Sequence, residues 1–160
     1  MTRTGIILSI NVSNTTGVKK DPINEVELKE QWGIVGDAHA GLVDSPKYAH
    51  RQVSLLAQES IDTMVQKGLD VSPGIFAENI TTEGLDLVSL PVGTTITTGN
   101  GIVLEVSQIG KECHAPCAVY HAVGDCVMPR EGIFVRVLKG GTLRKGDVLT
   151  VSELSRERRQ

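Results

Sequence analysis

Glycine divides this sequence into short segments, and that pattern restricts the possible folds more than any other feature. The 160 residues contain 17 glycines, and the stretches between them are rich in Val, Ile and Thr. β-Branched residues favour pleated strands, and glycine permits the tight turns that connect strands. The pattern therefore predicts many short strands, and hence a mostly β barrel or sandwich.

The strand predictions rest on apolar alternation bounded by turn residues. The sequence Gly99-Asn100-Gly101 indicates a hairpin, because glycine and asparagine tolerate positive φ angles. A second turn is predicted at Lys139-Gly-Gly, between two late strands. The predicted strands cover residues 4–12, 23–30 (with some irregularity), 52–56, 76–82, 94–98, 102–108, 132–138 and 147–151.

One helix is predicted over residues 57–67. Ile61, Met64 and Val65 stand at helical spacing, and Gly68 follows as a stop signal. Together with the strands, this helix gives a β-rich domain with little helical content.

Composition limits the domain count and the classes of partner. We expect one domain over residues 1–152, followed by a charged, frayed tail at 153–160. The net charge of -3 and the aromatic content of 3% argue against nucleic-acid binding, because such binding needs basic stripes or stacking platforms. No run approaches the roughly 18 apolar residues that span a bilayer, and the N-terminus does not resemble a signal peptide. We therefore expect no membrane association and a cytoplasmic location, where thiols stay reduced.

All three cysteines fall in one short segment. The first 112 residues contain none, whereas Cys113, Cys117 and Cys126 follow closely, together with His114 and His121. An odd number of cysteines fits poorly with a disulfide framework. The clustering predicts a reactive or metal-binding site.

Pro116 suits the first turn of a helix, which we predict over residues 117–123 and which Gly124 would end. Cys113 would then lie in the entering loop and Cys117 in the first turn. The partial positive charge of a helix N-terminus lowers the pKa of a nearby thiol, so either cysteine could be reactive.

Two other interpretations of the cysteines stay open. They could be buried small apolar residues, most plausibly Cys126 beside Val127. They could also form a structural zinc site, since Cys117 and His121 share a helix face and Cys113 or Cys126 would extend the set. The spacing matches no common zinc module. A non-catalytic module, with a structural zinc or an interaction role, is therefore the alternative function.

The segment from Gln108 to Cys113 resembles the cysteine motif of MOSC domains, the module of molybdenum cofactor sulfurases. Four further stretches are similar to that family and occur in the same order, so the resemblance covers nearly the whole chain. The chain resembles the short standalone bacterial members. The further stretches are GDAHAG at 36–41, RQVSLL at 51–56, FAENITTEG at 76–84, and REGIF at 130–134 with KGG…GD at 139–147.

The resemblance implies a MOSC-type (PK-like), mainly antiparallel β-barrel with a few short helices. It implies that the aligned cysteine, Cys113, ligates the molybdenum of a bound molybdopterin cofactor or carries a persulfide. The family often has proline before this cysteine. Here Glu112 occupies that position and Pro116 precedes Cys117, so Cys117 is a second candidate for the catalytic thiol.

Such a domain would act as a molybdenum-dependent oxidoreductase on N-hydroxylated compounds, or as a sulfur transferase. It would alternatively deliver cofactor or sulfur to a molybdoenzyme, or receive sulfur from a donor protein. Pyridoxal phosphate is associated with the family through fused domains, but no lysine here has a recognisable Schiff-base context.

Four polar residues within the matched stretches are candidates to bind the cofactor. His39 would donate a hydrogen bond to the pterin phosphate or act as an acid or base, or else be a solvated loop residue. Arg51 suits bidentate phosphate binding, or a surface ion pair. Asn79 would orient a loop or line the pocket. Arg130 would bind phosphate or stabilise a turn.

Overall fold

The computed structural model describes residues 2–13, 20–37, 40–41, 50–68, 76, 78–110 and 131–152. Within these ranges the chain is mostly strand, with one α-helix, α1 (Gln58–Gln66), and one 3-10 turn at Leu87–Ser89. The strands are β1 (Thr2–Val12), β2 (Asp21–Ile23), β3 (Glu25–Lys29), β4 (Gly33–Ile34), β5 (Val53–Ala57), β6 (Ile80–Glu83), β7 (Thr95–Thr97), β8 (Val103–Ile109), β9 (Ile133–Lys139), β10 (Gly141–Arg144) and β11 (Val148–Ser152).

Seven strands close into a barrel. The order around the ring is β1, β6, β5, β9, β8, β7 and β11, and β11 pairs again with β1. All of these neighbours are antiparallel except β5 and β6. The mainly antiparallel barrel predicted from the sequence is confirmed.

A small second sheet packs beside the barrel. It has the order β10, β3, β4. The backbone N–H of Gln31, at its edge, donates to the carbonyl of Val137 in β9 at 2.8 Å. The side-chain oxygen of Gln52 accepts the N–H of the same Val137 at 2.9 Å. Val137 of β9 therefore bonds both the second sheet and Gln52, the residue that precedes β5.

The barrel interior is the hydrophobic core, and strand alternation decides which residues fill it. Leu55, Ile133 and Val135 belong to the core cluster and are fully buried. Phe134 is also buried, at 2% exposure, but lies outside that cluster. Because successive side chains of a strand point to opposite faces, Phe134 lies on the outer face of the barrel wall.

Helix α1 connects the two parallel strands, β5 and β6. Ile61 and Met64 are buried as the helical spacing predicts, whereas Val65 is exposed. The helix ends where predicted, and Gly68 adopts a φ of 95° while its N–H donates to the carbonyl of Val65. None of the described helices is long and apolar enough to cross a membrane.

The predicted strand over residues 76–82 is wrong in its first half. Strand β6 begins only at Ile80, while Phe76 lies in a turn and Asn79 in a bend. The carboxylate of Glu78 accepts the N–H of Phe76 at 3.2 Å and the hydroxyl of Thr81 at 2.9 Å. Such local side-chain bonds compete with sheet pairing, and this delays the start of the strand.

The remaining strand predictions are confirmed to within two residues, with two refinements. The predicted strand 23–30 is divided at Asn24 into β2 and β3, which belong to different sheets. Two short strands, β4 and β10, had not been predicted. Both pair with β3, so tertiary contact and not local pattern makes them strands.

Candidate functional site

The structure describes two of the six predicted site residues, Arg51 and Asn79. The other four lie outside the described residues, as do Cys126 and the predicted helix over 117–123. These four are His39, Cys113, Cys117 and Arg130. The site is therefore described through the residues that flank and support these segments.

The two ends of the cysteine-bearing segment, residues 111–130, are held together. Strands β8 and β9 are paired up to Ile109 and Ile133. Beyond this pair, the N–H of Gly110 donates to the carbonyl of Gly132 at 2.6 Å. The segment therefore leaves the barrel at the end of β8 and re-enters it close by, at the start of β9.

Gln108 connects this point to Arg51. Its side-chain oxygen accepts the Nε–H of Arg51 at 3.0 Å and lies 2.6 Å from Nε2 of His50. Its amide nitrogen donates to the carbonyl of Gly110 at 2.7 Å. The opposite amide orientation would place two donors against each other at Arg51 and two acceptors at Gly110, so this network fixes the orientation.

The guanidinium of Arg51 lies over an aromatic ring. Its central carbon is 5.4 Å from the centroid of the Phe134 ring, within the range of a cation–π contact. Phe134 pairs with Gln108 on one side and with Ser54 on the other. Arg51, itself half-buried, therefore packs on the outer face of the barrel wall, close to both ends of the cysteine-bearing segment.

The side chain of Asn79 stabilises the neighbouring part of the barrel wall through hydrogen bonds. Its Oδ1 accepts the backbone N–H of Ser54 at 3.0 Å and the Ser54 hydroxyl at 3.2 Å, and its Nδ2 donates to the carbonyl of Asn11 at 3.1 Å. The side chain thus joins β5 to β1 and is fully buried. This geometry favours the orienting role for Asn79, and cofactor binding by its remaining amide hydrogen stays a prediction.

The side chain of Asp37 is buried and is held in place by a positively charged partner. Its Oδ1 accepts the N–H of Ser13 at 3.0 Å and the ammonium of Lys20 at 2.8 Å. Ser13 and Lys20 flank residues 14–19, and Asp37 precedes His39. Asp37 therefore joins the two residues on either side of 14–19 to the end of the described segment before His39.

The segment containing Asp37 also packs against the start of β5. Gly33 has a φ of 119°, and a Cβ added there would lie 2.7 Å from the carbonyl oxygen of Gln52. Only glycine fits this close approach. The segment before His39 thus lies against the residue that follows Arg51.

Sequence analysis missed three residues of this arrangement. His50 had no signal except its place beside Arg51, and Gln108 was only the first residue of the cysteine motif. Lys20 is 1% exposed, although lysine is rarely buried unless it is paired, and no periodicity reveals its partner.

Metal and small-molecule sites of other kinds are not evident in the described ranges. There, no three His, Cys, Asp or Glu side chains are grouped to hold a metal. A shallow cleft of about 290 Å³ lies between α1 and the 3-10 turn, with Glu59, Asp86 and Glu131 in its lining. Three carboxylates make it a poor match for an anionic cofactor, so the outer face around Arg51 is the better candidate site.

Comparison with solved structures supports the fold. The YuaD protein of Bacillus subtilis superposes with a TM-score of 0.78 at 21% identity, over 94% of this chain and 97% of that chain. YiiM of Geobacillus stearothermophilus gives 0.66 at 22% identity, over 93% and 75%. YiiM of Escherichia coli gives 0.63 at 17% identity, over 92% and 70%. At these identities the likeness concerns the fold alone.

The sequence comparison identifies the family. No curated protein matches the chain, but the sequence model of the MOSC domain matches residues 35–150, which is most of the chain. The match spans the Asp37 segment, Arg51 and the whole cysteine-bearing segment. The chain therefore belongs to the MOSC domain family, which is associated with the molybdenum cofactor.

Proposed function

We propose that this chain binds molybdenum cofactor on the outer face of the barrel, with the Cys113 thiolate as the protein ligand of the metal. The observation that carries the proposal is the position of Arg51. Its guanidinium is held by Gln108 and Phe134 close to the point where residues 111–130 leave and re-enter the barrel. A cation is thus fixed beside the segment that contains the thiols.

The chemistry of the described residues fits the cofactor. A planar guanidinium offers its donors in a fork that matches the oxygens of a phosphate group. The bond to Gln108 uses the Nε–H, and the Phe134 ring supports the plane of the fork. Arg51 would therefore bind the anionic phosphate of the pterin, and Gln108 and Phe134 would orient it.

The remaining predicted residues complete the proposed site. His39 and Arg130 would add donors to the phosphate from the two neighbouring segments. Asn79 would hold β5 and β1 in place on either side of β6. Cys113 would provide the thiolate, and Cys117 is the second candidate for that role.

Bound molybdenum would supply oxidation–reduction chemistry, and a persulfide on the same cysteine would serve sulfur transfer. The contribution of the chain itself would be to bind the phosphate and to hold the thiol near it. In either role the ligand is a small-molecule cofactor, and delivery to a molybdoenzyme would use the same site.

The direct test is cofactor content. The chain is expressed in a host that makes molybdenum cofactor, purified, and assayed for molybdenum by mass spectrometry and for pterin by fluorescence after oxidation. We expect both in equal amounts. Absence of both would refute the proposal.

The thiol assignment needs matched variants. Cys113→Ser, Cys117→Ser and Cys126→Ser are compared for molybdenum content and for thermal stability. We expect Cys113→Ser alone to lose molybdenum while the barrel stays folded. Stoichiometric zinc, together with unfolding in all variants of a zinc-binding set, would instead support the structural alternative.

A further inference from the structure

Gln108 orients Arg51 in the proposal above, whereas His50, which contacts the same Gln108 oxygen, has no role there. Both are half-buried on the outer face of the barrel wall. The Ser107 hydroxyl donates to the His50 carbonyl, and the same hydroxyl oxygen lies 3.1 Å from the carbonyl oxygen of Phe134. The backbone of His50 is thus fixed against β8 and β9.

The hydrogen bonds of Gln108 determine the state of the His50 ring. The Gln108 atom that faces Nε2 of His50 is the amide oxygen, which can only accept. The reverse amide orientation is excluded by Arg51 and Gly110, as described above. Nε2 must therefore carry hydrogen, and in the neutral ring Nδ1 is the acceptor.

We propose that Gln108 is a positioning residue with two effects on ligand binding. It holds the fork of Arg51 for anionic oxygens, and it fixes His50 as the Nε2–H tautomer, which leaves Nδ1 as the acceptor of the ring. The two side chains share one acceptor atom, so they lie side by side. A planar guanidinium held at its Nε–H suits the oxygens of a phosphate group.

The proposal that this phosphate belongs to the cofactor rests on the proposed function, whereas the positioning role of Gln108 does not. The positioning role of Gln108 can be measured in the chain without bound cofactor, with inorganic phosphate as the probe. The tautomer is read from nitrogen-15 chemical shifts of the ring at about pH 9, where an ordinary imidazole is neutral. Loss of the signal in His50→Asn identifies it among the four histidines.

Three variants separate positioning from folding. Gln108→Met keeps the length of the side chain but removes its polar atoms, and Gln108→Glu keeps an acceptor while adding charge. Gln58→Met is the control, because Gln58 lies on α1, where its amide bonds Asp62 at 3.0 Å. Thermal unfolding of each variant is recorded alongside.

We expect the unaltered chain to show the Nε2–H tautomer and Gln108→Met to show a mixture. Phosphate affinity should fall about tenfold in Gln108→Met, the effect of losing a hydrogen bond to a charged group. Gln108→Glu should restore the tautomer but not the affinity, since its carboxylate repels phosphate. Gln58→Met should match the unaltered chain in both measurements.

An Nδ1–H tautomer in the unaltered chain would overturn the proposal, as would a Gln108→Met variant with unchanged tautomer or unchanged phosphate affinity. The expected tautomers and affinities in a chain that never acquires molybdenum or pterin would support this inference and refute only the proposed function.

Discussion

Lys20 donates to Asp37 at 2.8 Å, and both side chains are shut off from solvent, with exposures of 1% and 0%. The same carboxylate oxygen accepts the backbone N–H of Ser13. A single buried atom therefore fixes the ends of residues 14–19 and the segment that leads to His39. The ion pair thus links the residue before β2 to the segment that follows β4.

Lys20→Met should destabilise the fold strongly. Removing one partner of a buried ion pair leaves the other charge buried and uncompensated, at a cost of about 3–5 kcal/mol. The free energy of unfolding, measured in urea, should fall by that amount. Lys145→Met, at an exposed position, is the control and should change it by less than about 0.5 kcal/mol.

Adding Asp37→Asn to Lys20→Met gives a second check on the ion pair. The amide removes the buried charge but keeps an acceptor for Ser13, so the double variant should be more stable than Lys20→Met alone. A Lys20→Met variant that loses less than about 1 kcal/mol would contradict the account of a buried charge pair.

Gly33→Ala should cost more stability than Gly36→Ala. Both glycines have positive φ, 119° and 92°, so both substitutions strain the backbone by about 1–2 kcal/mol. Only at Gly33 would the new Cβ meet the Gln52 carbonyl, while nothing lies within 4 Å of the Cβ at Gly36. Overpacking should add about 1–3 kcal/mol at Gly33 in urea unfolding. Equal losses would show that the segment does not pack closely on β5.

Asn79→Ala should loosen the barrel at the start of β6, whose two neighbours, β5 and β1, the Asn79 side chain bonds. It leaves the buried N–H of Ser54 without its acceptor, and we expect a loss of about 2–4 kcal/mol. Asn100→Ala removes an exposed amide that bonds the Thr142 carbonyl at 2.6 Å and should cost about 1 kcal/mol or less. If the two variants unfold at the same urea concentration, Asn79 does not have the structural role described above.

Arg51→Lys should lower cofactor occupancy although it keeps the charge. Lysine lacks the Nε–H that bonds Gln108 and the planar fork that lies over Phe134. We expect cofactor affinity to fall about tenfold, measured as pterin per protein at limiting cofactor. The control is Arg144→Lys, at an exposed arginine 3.6 Å from Glu25. Full occupancy in Arg51→Lys would remove Arg51 from the proposed site.

The parts of the fold that depend on local patterns could be predicted from the sequence. The turns at 99–101 and at 67–68 use glycines with positive φ, Gly101 and Gly68, and alternating apolar residues mark the strands. Strand β10 has no comparable signal, because its pairing with β3 depends on residues more than a hundred positions away. The late start of β6 depends on a carboxylate, Glu78, that no period identifies as buried.

At the candidate site, the type of each residue indicated its chemistry, but the sequence did not indicate which residues are hydrogen-bonded to one another. Arg51 could be proposed from its chemistry and from the resemblance to MOSC domains. That Gln108 supports it, and that His50 shares the same oxygen, depends on how β8, β9 and the start of β5 lie together in three dimensions. Lys20 and Asp37 were equally unpredictable as a pair.

The closure of the barrel by β1 and β11 has a consequence for folding. Ile6 pairs with Val148, so the first described strand can complete its hydrogen bonds only after the last described strand has been synthesised. Contacts this distant in sequence carry a large loop-closure cost and slow the folding of β proteins. During synthesis on the ribosome, the edge of β1 that pairs with β11 stays unpaired until β11 has been made. The growing chain therefore exposes an edge open to aggregation until the last described strand, β11, emerges.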